Sequence, residues 1–305
     1  MQSGTKYLIE PEELISLLKQ PLEQLTHIRI IDGTSFPPLD PRSRAEHFKS
    51  SRIPYSILFD VDKVANLSIK IPHMMPTKET FVQFMKDNDI RKSDTVIIYD
   101  RVSLFGAPRV WFTFYVYGHR NVKILNGGLP LYTSLKGELE LNEDFKVNAL
   151  NHLRGACTDD KEYDYSLDQS KVLDLKDIVL NKHNDVIIDA RSEERYEGKA
   201  QEPRKSLRVG HVEGALSVFF KHLIDDKGRF HDVDKIKSVF VEKGVDLTRD
   251  VIAYCGTGLT ACIDLFALAL IGREEHIKLY DASWMEYGNK TIEEINAIKN
   301  NSVIE

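Results

Sequence analysis

Cysteine is scarce in this chain: there are three in 305 residues, at positions 157, 255 and 262. Their spacing supplies neither a disulfide framework nor the close pairs of a metal site, and it suits a reducing compartment. No metal and no cofactor is expected. A run of about 18 apolar residues is also lacking, which excludes an ordinary membrane-spanning helix, so no membrane partner is expected. Charge of one sign is not concentrated anywhere, and the net charge is only −6. Without a block of Lys and Arg there is no electrostatic groove for a phosphate backbone, so direct nucleic-acid binding is not expected. The first residues, Met1-Gln-Ser-Gly-Thr-Lys6, carry no apolar signal core and no arginine, which leaves a targeting segment unsupported. What is present is an apolar content of 42 %, enough for one large or two medium domains with ordinary cores.

The most informative stretch is Val251-Ile-Ala-Tyr-Cys-Gly-Thr-Gly-Leu-Thr-Ala261. Residues 251–254 predict a short buried strand, and residues 259–271, rich in Ala and Leu and closed by Gly272, predict a helix. Cys255 falls between them. Gly256 and Gly258 allow the backbone to curl so that successive N–H groups converge in front of a helix N-terminus, an arrangement that favours an anion. The anion here would be the thiolate. An ordinary thiol with a pKa of about 8.5 is only about 3 % ionised at neutral pH, and stabilising the anion by about 2.7 kcal/mol makes it predominant.

Other uses of this stretch are weaker. Gly256 to Ala261 fits the dinucleotide fingerprint G-x-G-x-x-A in letters, but too little chain follows to complete the βαβ unit that such a site requires. A cysteine phosphatase would place an arginine where Ala261 stands, to hold phosphate oxygens bidentately, and no Lys or Arg lies between Cys255 and Ala261. A buried structural cysteine beside a tight turn is the bland alternative.

The chain also repeats itself. Val96-Ile-Ile-Tyr-Asp100 lies over Val251-Ile-Ala-Tyr-Cys255 at an offset of 155, and at the same offset Val122-Lys-Ile-Leu125 lies over Ile277-Lys-Leu-Tyr280. Ile30-Ile-Asp-Gly33 matches Ile187-Ile-Asp-Ala190 at an offset of 157. Val/Ile-rich strands alternate with helical stretches at 11–18, 77–88, 107–117 and 233–243, so the fold class is α/β: two tandem copies of one domain, each a mostly parallel sheet flanked by helices. The expected limits are 1–140 and 170–305. Residues 141–169, polar and without helix or strand period, are read as the linker, with Cys157 an exposed, incidental thiol. Where the second copy has Cys255 the first has Asp100, which cannot act as a thiol nucleophile, so only one half should react.

Taken together, these motifs resemble the tandem-domain rhodaneses and, within them, the mercaptopyruvate and thiosulfate sulfurtransferases. The likeness runs over nearly the whole chain. In the first half it rests on Arg52-Ile-Pro54, Phe59-Asp-Val-Asp62, Pro72-His-Met-Met-Pro76, Tyr99-Asp100 and Ala107-Pro-Arg-Val-Trp111. In the second it rests on Asp189-Ala-Arg191, Arg195-Tyr196, Glu202-Pro-Arg204, Gly210-His-Val212, the Cys255 loop and Tyr280-Asp-Ala-Ser-Trp284.

The resemblance implies two sheet-and-helix domains, the active-site loop on the C-terminal one and substrate in the cleft between them. It implies that Cys255 takes sulfur from 3-mercaptopyruvate as a persulfide and yields it to a thiol, cyanide or thioredoxin. The amides of Gly256, Thr257, Gly258, Leu259 and Thr260 would stabilise that anion. Sulfurtransferases dedicated to thiosulfate resemble this family but place basic residues directly after the cysteine; Gly256 and Thr257 stand there instead, which favours mercaptopyruvate. Arg195 and Arg204 match the family's carboxylate-binding pair, although spacing alone would read them as a solvated charge run and a surface loop. Asp62, His73 and Thr257 match its proton-handling set, with Thr257 where serine is usual, although His73 alone would be read as a structural hydrogen-bonding residue. Asp189, Arg191 and His211 are assigned loop-positioning roles. Fungal relatives suggest a relay alternative, in which a cysteine desulfurase and a sulfur-carrier activating protein are partners in tRNA wobble-uridine thiolation. A rhodanese-like module without catalysis is the remaining alternative. The expected location is the cytoplasm, with mitochondria also open.

Overall fold

A computed structural model describes residues 6–37, 40–102, 104–141, 146–155 and 157–301. The chain divides into two compact units: Met1–Leu67 with Pro76–Leu167 and Asp225–Phe230, and Ser68–Met75 with Asp168–Ile224 and His231–Glu305. Each unit therefore takes in a short segment from the other half of the sequence.

The first unit holds a sheet of β1 (Leu8–Ile9), β2 (Ile28–Asp32), β3 (Ser56–Leu58), β4 (Thr95–Tyr99) and β5 (Val122–Leu125), in the order β1-β5-β4-β2-β3 and parallel throughout. The second holds β6 (Val172–Leu173), β7 (Val186–Asp189), β8 (Leu216–Ser217), β9 (Val251–Tyr254) and β10 (Ile277–Tyr280). Their order is β8-β7-β9-β10-β6, again all parallel. Read from the other edge this is the first order strand for strand, so the repeat in sequence is a repeat in topology. A central strand of a parallel sheet is covered on both faces, which is why β4 and β9 are apolar runs rather than alternations.

Each central strand leads into a helix with no solvent face: α1 (Ala107–Val116) after β4 and α2 (Ala261–Leu270) after β9, with all ten residues of each buried. Both end on a glycine in the left-handed region, Gly118 (φ 83°) and Gly272 (φ 81°). At α2 the N–H groups of Gly272 and Arg273 reach back to the carbonyls of Ala269 (3.0 Å) and Leu268 (2.9 Å), closing the last turn. The predicted helix start at Leu259 moves to Ala261, because Gly258 (φ 78°) turns the chain and leaves Leu259 and Thr260 in the loop.

Two expectations for residues 141–169 are corrected. The segment contains a helix, Val147–Arg154, of which Leu150 is the buried residue. One apolar anchor gives no readable period; the helix is also tied down by Arg154, whose Nη1 donates to Asp94 Oδ2 at 3.0 Å. Farther along, Tyr165 Oη bonds His119 Nδ1 at 3.0 Å. Cys157 is half-buried rather than exposed.

Candidate active site

Cys255 follows the last residue of β9, and residues 256–260 carry the chain to α2. The loop is pinned from one side by α3 (Ser283–Tyr287). The N–H of Trp284 donates to the Cys255 carbonyl and that of Met285 to the Gly256 carbonyl, both at 3.0 Å. In a trans peptide the N–H points opposite the C=O, so the amides of Gly256 and Thr257 face away from α3. The same reasoning applies farther along. Cys262 Sγ donates to the Gly258 carbonyl (3.2 Å), while the Cys262 and Ile263 amides donate to the carbonyls of Leu259 (3.1 Å) and Thr260 (3.0 Å). The N–H groups of Gly256, Thr257, Leu259 and Thr260 have no protein acceptor among the described residues. Of the two glycines that allow the curl, Gly258 has a left-handed backbone and Gly256 does not. Cys255 is 2 % exposed, and its own N–H donates to Ser283 Oγ at 3.2 Å. Burial thus coexists with amides left without partners, and in a low-dielectric setting such dipoles act strongly on an anion.

The first unit shows what such a loop does with an anion. At the end of β4, the buried carboxylate of Asp100 accepts from the Leu104 N–H (3.0 Å) and from the N–H groups of Gly106 and Ala107 (both 2.9 Å). The loop's amides are filled by the chain's own side chain. In the second unit a cysteine stands at the matching strand end.

Around the Cys255 loop the second unit assembles several polar groups. Thr257 is buried, and its Oγ1 lies 3.1 Å from Nδ1 of His73, a half-buried residue with φ 66°. The next residues are anchored, with the Met75 N–H donating to Asp281 Oδ2 at 2.6 Å. A Cβ placed on Gly256 would lie 3.5 Å from Arg195 Nη2, so that guanidinium borders the start of the loop. Its side chain is 25 % exposed, and Nε and Nη2 hold Glu202 Oε1 and Oε2 at 3.1 and 2.5 Å. Glu202 is bound in turn by buried Arg191 (2.8 Å), which also holds Asp189 (2.6 Å). Asp189 accepts from Tyr254 Oη at 2.5 Å, and burial followed by the Asp189 charge pushes the Tyr254 phenol well above its ordinary range.

The rhodanese-like domain family matches residues 12–135 and again 172–290. The chain belongs to the rhodanese family. It is similar to the 3-mercaptopyruvate sulfurtransferase of Escherichia coli (strain K12), 31 % identical over 275 residues that cover 89 % of this chain and 93 % of that protein. It is also similar to the Arabidopsis thaliana protein named thiosulfate/3-mercaptopyruvate sulfurtransferase 1, mitochondrial, at 29 % identity over 90 % of this chain and 75 % of that protein. Among solved structures, Tum1 from Saccharomyces cerevisiae superposes with a TM-score of 0.78 at 28 % identity, covering 94 % of this chain and 96 % of the other.

Within this rhodanese the residues predicted from sequence fall into three groups. Cys255, Gly256, Thr257, Gly258, Leu259, Thr260, His73 and Arg195 gather in the second unit at one loop. Arg204 is half-buried in a turn of the same unit, with no ion pair or side-chain hydrogen bond among the described residues. Asp62 belongs to the first unit, where it pairs with Arg44. Arg191, assigned a loop-positioning role, is fully enclosed by Asp189 and Glu202. Sequence reasoning missed Ser283, Trp284 and Met285 as the anchors of the rhodanese loop, and Glu202 as the holder of Arg195. Their motifs were visible, but the loop's pairing with Ser283 across 28 residues leaves no local signal.

Proposed function

We propose that this rhodanese is a 3-mercaptopyruvate sulfurtransferase that carries sulfur on Cys255. The observation that supports this most directly is the pair of loops: the first unit's is plugged by Asp100, whereas the second presents Cys255 beside amides with no protein acceptor among the described residues. The Cys255 thiolate attacks the donor's sulfur, the sulfur–carbon bond breaks, and its electron pair leaves on carbon as the enolate of pyruvate. His73 and Thr257, 3.1 Å apart, supply the proton that converts the enolate to pyruvate. A thiol, cyanide or thioredoxin then attacks the outer sulfur and releases the Cys255 thiolate, in two half-reactions with ping-pong kinetics.

Donor choice follows from charge. The two positions directly after the cysteine, Gly256 and Thr257, carry no basic side chain to meet the dianion of thiosulfate, whereas the single carboxylate of mercaptopyruvate suits the guanidinium forks of Arg195 and Arg204. The names of the Escherichia coli and Arabidopsis relatives support this donor. A protein acceptor in a desulfurase-fed relay would use the same persulfide. The cytoplasm or mitochondrion is the proposed location, the latter supported by the Arabidopsis name.

The test is a side-by-side donor assay with intact-mass measurement. Mercaptopyruvate should release pyruvate and add the mass of one sulfur atom to the wild type but not to Cys255→Ser, with a kcat/KM well above that for thiosulfate. The opposite ranking would remove the donor assignment, and sulfur uptake by Cys255→Ser would remove the carrier.

A further inference from the structure

The cation that borders the Cys255 loop is already paired. Arg195 Nη2 would lie 3.5 Å from a Cβ placed on Gly256, while Nε and Nη2 hold the two oxygens of Glu202 at 3.1 and 2.5 Å. The Glu202 side chain is 2 % exposed against 25 % for that of Arg195, so the anion of the pair is enclosed and the cation keeps an open side. Behind them, Arg191 donates from Nη1 to Glu202 Oε1 at 2.8 Å and from Nη2 to Asp189 Oδ2 at 2.6 Å, and Arg191, Glu202 and Asp189 are all buried. Arg191 Nη2 also donates to the Gly210 carbonyl at 2.6 Å, and Asp189 accepts from Tyr254 Oη at 2.5 Å. Every charged group in this row has fixed partners.

The row contains two cations, Arg191 and Arg195, and two anions, Asp189 and Glu202. Their formal charges cancel. An arginine standing alone at the loop would present a full positive charge; with Glu202 bound to it, Arg195 presents N–H donors and little net field. Coulomb energy scales with the charge of the ligand, so each unit of charge added to or taken from the row acts twice as strongly on a dianion as on a monoanion. Burial keeps this effect from being screened away by water and salt. A dianion also gives up more on leaving water. The open edge of the fork can bond a carboxylate without further charge, whereas a second negative charge needs an attraction that Glu202 has removed.

We infer that Glu202 is a positioning residue that sets donor specificity: by cancelling the charge of Arg195 it makes the site accept a monoanionic carboxylate and turn away dianions of the sulfate and thiosulfate kind. This deepens the sulfurtransferase reading and rests on it for the identity of the donor. Glu202 acts through Arg195 and does not itself touch the donor. Gly256 and Thr257 leave out the cations that a dianion would meet directly after the cysteine, and Glu202 cancels the one that borders the loop.

The test uses two anions that carry no transferable sulfur, pyruvate as the monocarboxylate and sulfate as the dianion, and measures at constant ionic strength how each protects the Cys255 peptide from iodoacetamide. No sulfur donor is involved, so a failure of mercaptopyruvate turnover or of sulfur carriage by Cys255 leaves this readout standing. In the wild type pyruvate should protect at lower concentration than sulfate. Glu202→Gln should improve protection by sulfate relative to pyruvate by about tenfold or more. Glu202→Asp keeps the charge on a shorter arm; it should preserve the wild-type ratio while both anions bind less well, and it covers a Gln variant that fails to fold. An unmoved ratio in Glu202→Gln, or a ratio moved as far by Asp as by Gln, would overturn the inference, because either result reduces Glu202 to a structural support of Arg195. Wild-type protection that is stronger with sulfate, or absent with both anions, would overturn it equally.

Discussion

Arg195 shows how one side chain can be both structural and open to a ligand. Glu202 occupies Nε and one face of Nη2. A guanidinium has five N–H donors, so the edge bordering Gly256 keeps donors for a carboxylate, while Glu202, itself fixed by Arg191, sets the plane of the fork. A charge-assisted hydrogen bond contributes about 1.5–3 kcal/mol. Arg195→Ala should therefore raise KM for mercaptopyruvate about tenfold to a hundredfold and leave kcat within a few-fold, since the lost contact is the same in ground and transition states. Arg195→Lys should recover little, because a point charge lacks the fork. Initial-rate kinetics on both variants check this; an unchanged KM would return Arg195 to a purely structural pairing with Glu202.

At the scale of elements, the Cys255 loop takes its shape from α3 as much as from its own glycines. Ser283, with φ 53°, places its Oγ to accept from the Cys255 N–H and to donate to the Tyr280 carbonyl at 2.9 Å. Ser283→Ala leaves that buried N–H without a partner at a cost of about 1–3 kcal/mol. It should lower the urea midpoint accordingly and slow persulfide formation, because the Cys255 N–H lies one peptide before the Gly256 and Thr257 amides, which α3 orients through the Cys255 and Gly256 carbonyls; undiminished persulfide formation in the destabilised variant would show that the loop holds its shape unaided. This dependence also marks the limit of what could be read from sequence. The central strands and long helices were legible because parallel strands covered on both faces are unbroken apolar runs and helices end at Gly118 and Gly272. The Cys255 loop was legible because a thiol is followed by two closely spaced glycines. The helix Val147–Arg154 was not, having Leu150 as its lone buried anchor, and neither was Ser283, whose partner lies 28 residues away.

Across the whole molecule, the chain keeps two copies of one topology, and in the function proposed above one of them carries sulfur. Asp100 explains how the other copy is kept out of the chemistry without being lost. Its carboxylate accepts from three buried amides, so it closes the loop that would otherwise be an anion site and holds α1 to the end of β4. Exchanging that group for a thiol should not make a second carrier. The first-half loop has six residues, 101–106, against five, 256–260, between strand and helix, so its amides are spaced for a carboxylate that spans Leu104 and Ala107. Asp100→Cys should instead leave buried N–H groups unpaired, at about 1–3 kcal/mol each, and destabilise the first unit by about 3 kcal/mol or more. Intact mass after mercaptopyruvate should still show one added sulfur, placed by peptide mapping on Cys255, while chemical unfolding should show an early transition absent from the wild type. A second sulfur on the introduced thiol of that variant, with stability retained, would show that the two loops are interchangeable and that residue identity alone separates the silent copy from the working one.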